Sequence, residues 1–415
     1  MLAPERRRRS DLVVAAAVAL TALLVAGVVW LGSDARGTTS SPAQSPLPTP
    51  ETASTVPPTF REIWRASSPA TTTPVVAGGA VVAAGDDAVN GLDPASGNVA
   101  WSYSRDAALC GITEAWGSAV VVYRDDRGCS QVTELDGSTG SREAQRTSDA
   151  DDRTILATDG TYVTARGDSR LEVWRSDLVR TLEYGRVDAP VNPGAQPRDD
   201  CTLLSSASTS SRLAVLENCP GDSADRLTTL DPAPDDGREP EEFGSSVVAA
   251  LTGADGPVSG AKVLVTAGDR VALAVPARAG RPASVALFGG DAQPITEFDL
   301  PATITDGSLQ HSSAAVDAGS VYTWWTGTGT VALSVSDLSP RWTVAGSLGP
   351  GTPMAGKLLL PVPNGISVMQ PETGAVERTI AVDRGDHTGP VGLSVVGDTI
   401  VEQRGGQLVA LSGVR

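Results

Sequence analysis

The sequence predicts an all-β fold of repeated four-stranded units, and three observations carry that reading. Short apolar strands alternate with turns rich in Gly, Asp and Pro, and a Leu-Asp-x-x-Thr-Gly-like turn returns every ~40 to 45 residues, which denotes a propeller or a solenoid. The composition agrees: 44 Gly and 29 Pro stand beside only 8 Trp, 5 Tyr and 4 Phe in 415 residues, which excludes a coiled coil and wholesale disorder. The net charge is −17, and −19 after residue 36, so the chain does not look like a nucleic-acid binder.

The N-terminus reads as an address. Residues 12–31 form an apolar run in which Thr21 is the one polar side chain; at ~1.5 Å per residue it matches the ~30 Å hydrocarbon layer as a transmembrane helix. Arg6, Arg7, Arg8 and Arg9 precede it, so residues 1–11 are expected to be a cytoplasmic basic tail and everything after the helix extracytoplasmic, with Trp30 at the interface. A cleaved signal peptide is the competing reading. Its apolar region would be shorter, and Ser33-Asp34-Ala35 is the only small-x-small site available. Residues 32–59 follow as a stalk, since sixteen of the 23 residues from 37 to 59 are Pro, Ser or Thr and such a segment cannot bury enough apolar area to order itself. Extended at ~3.1 Å per residue, it is expected to hold the next domain about 70 Å from the bilayer. O-glycosylation of the stalk and an unmodified linker both remain open.

Residues 60–415 carry the repeat. Between Trp64 and Trp101 lie four strands: Pro74-Val75-Val76-Ala77, then Ala80 to Ala84, then Val89 to Asp93, then Val99 to Trp101 after a Pro94-Ala95-Ser96-Gly97 turn. The turn recurs at Leu135 to Gly140, at Leu230-Asp231-Pro232 and at Gln370 to Gly374, and more loosely at Asp337 to Trp342. Outermost strands are expected near 60–65, 98–103, 141–146, 180–184, 239–247, 294–299, 340–345 and 375–382. That makes eight blades of about 44 residues, or seven if 186–260 is one loop-rich blade. The first outer strand has no inner strands before it, and residues 387–411 supply three strands with no outer one. The two ends are therefore expected to complete one blade and close the ring without an open edge.

Cys110 and Cys129 fall in the second blade, and Cys201 and Cys219 in the fourth, each pair placed at neighbouring strand ends. Two disulfides are expected, each worth ~3 kcal/mol in the chain-entropy model and stable only in an oxidising compartment. No Cys-x-x-Cys spacing supports zinc instead.

The Pro-Val-Val strand, the Leu-Asp-x-x-Thr-Gly turn and the closing strand with Trp resemble the PQQ-like, quinoprotein-type propeller repeat. The resemblance is strong at 64–101 and 352–382 and weak at 186–260. Quinoprotein dehydrogenases of that type are expected to carry a vicinal cysteine pair, a calcium site and a catalytic Asp near the axis. This chain has no adjacent cysteines and no position onto which the calcium ligands map, so the resemblance implies fold and neither cofactor nor metal. The repeat is similar also to the outer-membrane assembly lipoprotein of Gram-negative bacteria, an eight-bladed scaffold that binds protein partners, although here an apolar anchor replaces the lipidated Cys. With 30 Arg against 2 Lys, the chain resembles membrane-anchored, Ala/Val-rich propellers of high-GC genomes such as actinobacterial ones.

Chemistry-bearing residues are sparse. His311 and His387, the only histidines, sit in no nucleophile motif and read as turn residues. The acidic pairs at Asp86, Asp125, Asp199 and Asp235, and the run 149–152, lack the spacing of a calcium loop and read as solvated turns. The Trp324-Trp325 pair must point to opposite faces of its strand. The leading expectation is thus a monomeric, non-enzymatic, membrane-anchored propeller that binds an envelope protein, ahead of a small-molecule or glycan sensor and, third, a degenerate quinoprotein-type enzyme. Long connections at 185–200 and 300–311 place Arg198, Asp199, Asp200, His311 and His387 on one face, the expected partner-binding face.

Overall fold

The computed structural model describes residues 8–31, 36–190, 192, 194–253, 256–278, 280–307 and 309–414. Arg6 and Arg7 of the basic tail, and the Ser33-Asp34-Ala35 site, lie outside these residues. Arg9–Leu31 is a single 23-residue helix without one buried residue, long and apolar enough to cross a membrane. The one polar side chain of its apolar run 12–31 is satisfied within the helix, because the Thr21 hydroxyl donates to the Ala17 carbonyl at 2.9 Å.

The expected ring of eight four-stranded antiparallel blades is observed, and the seven-bladed alternative falls. The outer strands are Val99–Arg105, Arg142–Thr147, Arg180–Gly185, Glu242–Val247, Pro294–Asp299, Pro340–Ala345, Val376–Ala381 and Thr59–Ser67. The last of these pairs with Gln407–Val414, from Thr59 opposite Val414 to Ser67 opposite Gln407, so both chain ends close the eighth blade. The region 186–260 hides a regular fourth blade, Thr202–Thr209, Arg212–Asn218, Arg226–Leu230 and Glu242–Val247. Its repeat was obscured by insertions, one a short 3-10 turn at Ala249–Leu251 and a two-stranded hairpin before the fifth blade.

The core is divided among the seams between blades. Apolar clusters join each neighbouring pair: Val82 and Trp101 with Val121 and Leu135 between the first and second blades, Val401 and Leu408 with Val81 and Trp64 between the eighth and first. A blade inside the ring is therefore covered on both faces, so its middle strands lose the apolar–polar alternation of a half-exposed sheet. Ala80–Ala84 is buried at all five positions, as is Gly365–Met369. Trp324 and Trp325 do face opposite ways: Trp324 fills the seam between the fifth and sixth blades, while the Trp325 indole N–H donates to the Ser347 carbonyl at 2.9 Å.

One contact repeats around the ring and explains the turn motif. The Trp of an outer strand reaches the turn of the following blade: Trp64 donates to the Pro94 carbonyl at 2.9 Å, Trp101 to Gly137 at 2.9 Å and Trp342 to Pro371 at 2.7 Å. The glycine closing that turn lies under the ring. At Gly140 φ is +69° and a Cβ would stand 2.6 Å from Trp101, and at Gly374 φ is +69° and a Cβ would stand 2.7 Å from Trp342. Only glycine offers both the left-handed backbone and the missing atom.

The free stalk does not survive. Thr38–Ser41 is a strand, paired antiparallel with the outer strand of the first blade from Thr38 opposite Arg105 to Ser41 opposite Ser102, which gives that blade a fifth strand. Residues 43–57 then cross the ring. The Ala43 and Leu47 amides donate to the Thr139 and Ser138 carbonyls of the second blade at 2.8 and 2.9 Å. Pro48 covers Gly79 of the first blade, Pro50 covers Gly397 of the eighth, and Ala53 is buried beside Met354 of the seventh. Finally Arg378 donates to the Val56 carbonyl at 2.9 Å. A segment of this composition cannot order itself alone, but its extended backbone borrows hydrogen bonds from an open blade edge and places a few apolar side chains in a core built by others.

Candidate functional site: the long-loop face

Antiparallel blades sort their connections onto two sides. The first side carries every passage from an outer strand to the next innermost strand, and every turn between the middle strands; the second carries the remaining turns. Residues 43–57 cover part of the second side, around Gly79, Ser138 and Gly397. The first side carries the long passages 186–201, 300–315 and 382–390. Both disulfides form as expected and both brace this side: Cys110–Cys129 ties two strand starts of the second blade, and Cys201–Cys219 ties the start of the fourth blade to its middle turn.

Of the five residues expected to meet a partner, all lie in connections on this side, in the passages entering the fourth, sixth and eighth blades. Asp199 and Asp200 are exposed next to Cys201. His311 is exposed over the Gly327 turn, and His387 is half-buried with Nε2 3.1 Å from the Pro390 carbonyl of its own loop. Arg198 differs, because its guanidinium turns inward. It donates to Glu217 Oε1 at 3.0 Å and to the Tyr184 hydroxyl at 3.1 Å, and pairs with Glu242. Burial pushes the Glu217 carboxyl above its usual range, against the hydrogen bonds from Thr228 and Tyr184 and the charge of Arg198. Arg198 is thus a brace for the fourth blade, while Asp199 and Asp200 are what the passage presents.

Sequence reasoning missed a second brace of the same design. Glu402 is fully buried and accepts from Arg384 Nη2 at 2.7 Å and from Arg404 Nε at 2.7 Å. Arg384 also donates to the Val362 and Gly365 carbonyls at 2.6 and 2.9 Å, so a passage residue clamps the seventh blade to the eighth. A third network, between the second and third blades, joins Glu172 to Arg170 at 2.7 Å and to Arg146 at 3.1 Å. The signal was present: Val401-Glu402-Gln403-Arg404 puts charge into a middle strand covered on both faces, and a charge there must be paired.

Two of the acidic turns expected to be solvated are instead partly buried and internally hydrogen-bonded. Asp125 accepts from the Arg127 amide at 2.8 Å and from Ser130 and Gln131, and hydrogen bonds from both side chains hold it below the usual carboxylate range against the cost of burial. Asp151 accepts from Ser169 Oγ and the Ser169 amide, each at 2.7 Å. Among the described residues, the one group of potential ligands that converges is Cys201, Glu217 and Cys219, and its two sulfurs are spent on the disulfide.

Inside the ring, the innermost strands of the seventh, eighth, first, second and third blades line an open cavity of about 570 Å³, in which the hydroxyls of Thr71, Thr73, Thr113, Thr158, Thr352 and Ser394 lie among apolar side chains such as Val75, Ile112 and Leu156. Glu114 is the one ionisable side chain in that lining, and it accepts from the Gly117 amide at 3.1 Å. Such a wall can hydrogen-bond a polar guest.

Comparison with known proteins agrees with this geometry. Residues 56–167 match the family model described as outer membrane protein assembly factor BamB. The fold is similar to BamB from Moraxella catarrhalis, at 13% identity and a TM-score of 0.51 over 85% of this chain and 99% of that one. It is similar also to Sqt1 of Saccharomyces cerevisiae, at 11% identity and a TM-score of 0.52 over 87% of this chain and 100% of that one. No curated protein matches the sequence. At these identities the likeness shows the fold alone.

Proposed function

Taking the chain as a PQQ-like β-propeller, with its family match over residues 56–167, we propose that it is a membrane-anchored, non-enzymatic scaffold that presents its long-loop face to a protein partner in the cell envelope. One observation carries this reading: the opposite side is partly covered by the chain's own residues 43–57, while both disulfides brace the side with the long passages. The apolar run 12–31, preceded by Arg8 and Arg9, supports an anchor with a cytoplasmic N-terminus, and the disulfides support an oxidising compartment. BamB by its description is an assembly factor, which supports a scaffold by analogy. The chain acts as a monomer, needs no cofactor and binds no nucleic acid in this reading.

Co-purification from mildly solubilised membranes tests it. A stoichiometric protein should be recovered with the intact chain, and Asp199→Lys with Asp200→Lys, or His311→Ala with His387→Ala, should weaken its recovery at an unchanged melting temperature. Equal losses from substitutions at the exposed Glu372 and Thr373 turn positions would place the interface on the other side. The hydroxyl-bearing cavity inside the ring favours a second reading, a sensor of a small polar molecule or glycan, in which the chain purifies without a stoichiometric protein.

A further inference from the structure

At the start of the innermost strands of the second, third and fourth blades, the long-loop face opens into a pocket of about 580 Å³. Its deepest charge is Arg166, at the end of Val163–Arg166, with 8% of its surface exposed. Both hydrogen bonds of this guanidinium leave from Nη1, to the Leu203 carbonyl at 2.8 Å and the Gly167 carbonyl at 3.4 Å. Its Nε–H and Nη2–H donate to nothing among the described residues, and no carboxylate forms an ion pair with it. The nearest acid, Asp168, is paired instead with Arg153 at 2.8 Å. Arg124 and Arg153 stand at the rim with Asp152 and Asp168, so arginine exceeds acid by one inside a strongly acidic protein.

A buried arginine is normally matched by a carboxylate, as Arg384 is here, because an uncompensated buried cation is costly. Arg166 is held in that condition by its carbonyl bond to the neighbouring blade, with a planar pair of donors facing open space. Two parallel N–H donors match the two oxygens of a carboxylate. Beside them the wall is apolar: Leu109, Leu204 and Ile155, the last 60% exposed. The volume is that of a small-molecule site. We propose that this pocket binds an organic carboxylate bearing an apolar substituent, with Arg166 receiving the carboxylate and Ile155 covering the substituent. The pocket's chemistry is complete within one chain, so this proposal stands whether or not a protein docks on the same face.

Calorimetric titration of the full chain in an uncharged detergent tests it, with N-acetyl-leucine as the probe. Saturable binding is expected, and N-acetyl-leucinamide, which lacks the charge, should bind at least about tenfold more weakly. Arg166→Gln should reduce affinity for the acid by at least the same factor. Because that change also removes a bond between blades, Ile155→Glu serves as the second variant: the position is exposed, so the melting temperature should hold while the introduced carboxylate abolishes binding. A tripeptide ending in leucine that binds more tightly than the single residue would assign the ligand as a chain terminus, and one that is excluded would assign a free acid. Equal binding of acid and amide, no saturation in the millimolar range, or an affinity untouched by Ile155→Glu would overturn the proposal.

Discussion

Glycines under tryptophan rings are the most exacting positions in the repeat. Gly140→Ala and Gly374→Ala each force a left-handed alanine and push a methyl group into Trp101 or Trp342, and each should cost roughly 2 to 3 kcal/mol, read as a lowered midpoint in urea with an unchanged slope. Gly160→Ala is the control, since it shares the positive φ but nothing lies within 4 Å of its Cβ direction. Glu172 sets a pH dependence. Burial raises its pKa, but the charges of Arg146 and Arg170 and the hydrogen bonds from Trp174 and Arg170 overcome that, and the carboxyl titrates below its usual range. A depressed folded value means that its stabilisation is present above the unfolded pKa of ~4.3 and is lost as pH falls through the folded one. Glu172→Gln should therefore lower stability at pH 7 by about 3 kcal/mol, and its loss on acidification below pH ~4.5 should be shallower than that of the parent chain. The Trp and Gly positions could be read from sequence as strand and turn markers, but their mutual contact could not, because it joins residues of different repeats. Buried charges such as Glu172 stayed hidden because covering both faces of a blade erases the alternation that marks which side chains are inside.

Elements were the most legible scale. The outer strands expected at 294–299 and 340–345 coincide with Pro294–Asp299 and Pro340–Ala345, because short strands between Gly and Asp turns leave little freedom in where a blade ends. The segment 38–58 was the least legible: its own sequence holds no pattern, and its order comes from the edge it finds. Two truncations separate the roles. Starting the chain at residue 59 removes the fifth strand and the crossing segment, and should lower the melting temperature by several degrees where a free stalk would change nothing. Starting at residue 68 removes the closing strand as well and exposes the edge of Gln407–Val414, so aggregation in light scattering should appear with that truncation and not the first.

For the whole molecule, ring closure has two layers: the ladder of the eighth blade, and the crossing segment that touches the second, first, eighth and seventh blades in turn. The disulfides add a third constraint elsewhere, and replacing either pair by serine should cost ~3 kcal/mol in chemical denaturation. Fold class, blade number and cysteine pairing were all legible because they depend on period and spacing. The candidate pocket was not, since it is assembled where three blades meet. The attachment of the chain at Thr38 also sets how it bears load. Only six residues separate Leu31 from Thr38, so an anchor at the helix would hold the ring within about 25 Å of it, and any pull on that anchor would enter at the edge of the first blade. That force must peel Thr38–Ser41 and the crossing segment before it reaches the closing strand at Thr59. The segment is thus a mechanical fuse: in an optical trap, pulling from residue 36 against the long-loop face should show a first, low-force extension of about 70 Å as 21 residues are released, after which the ring remains closed.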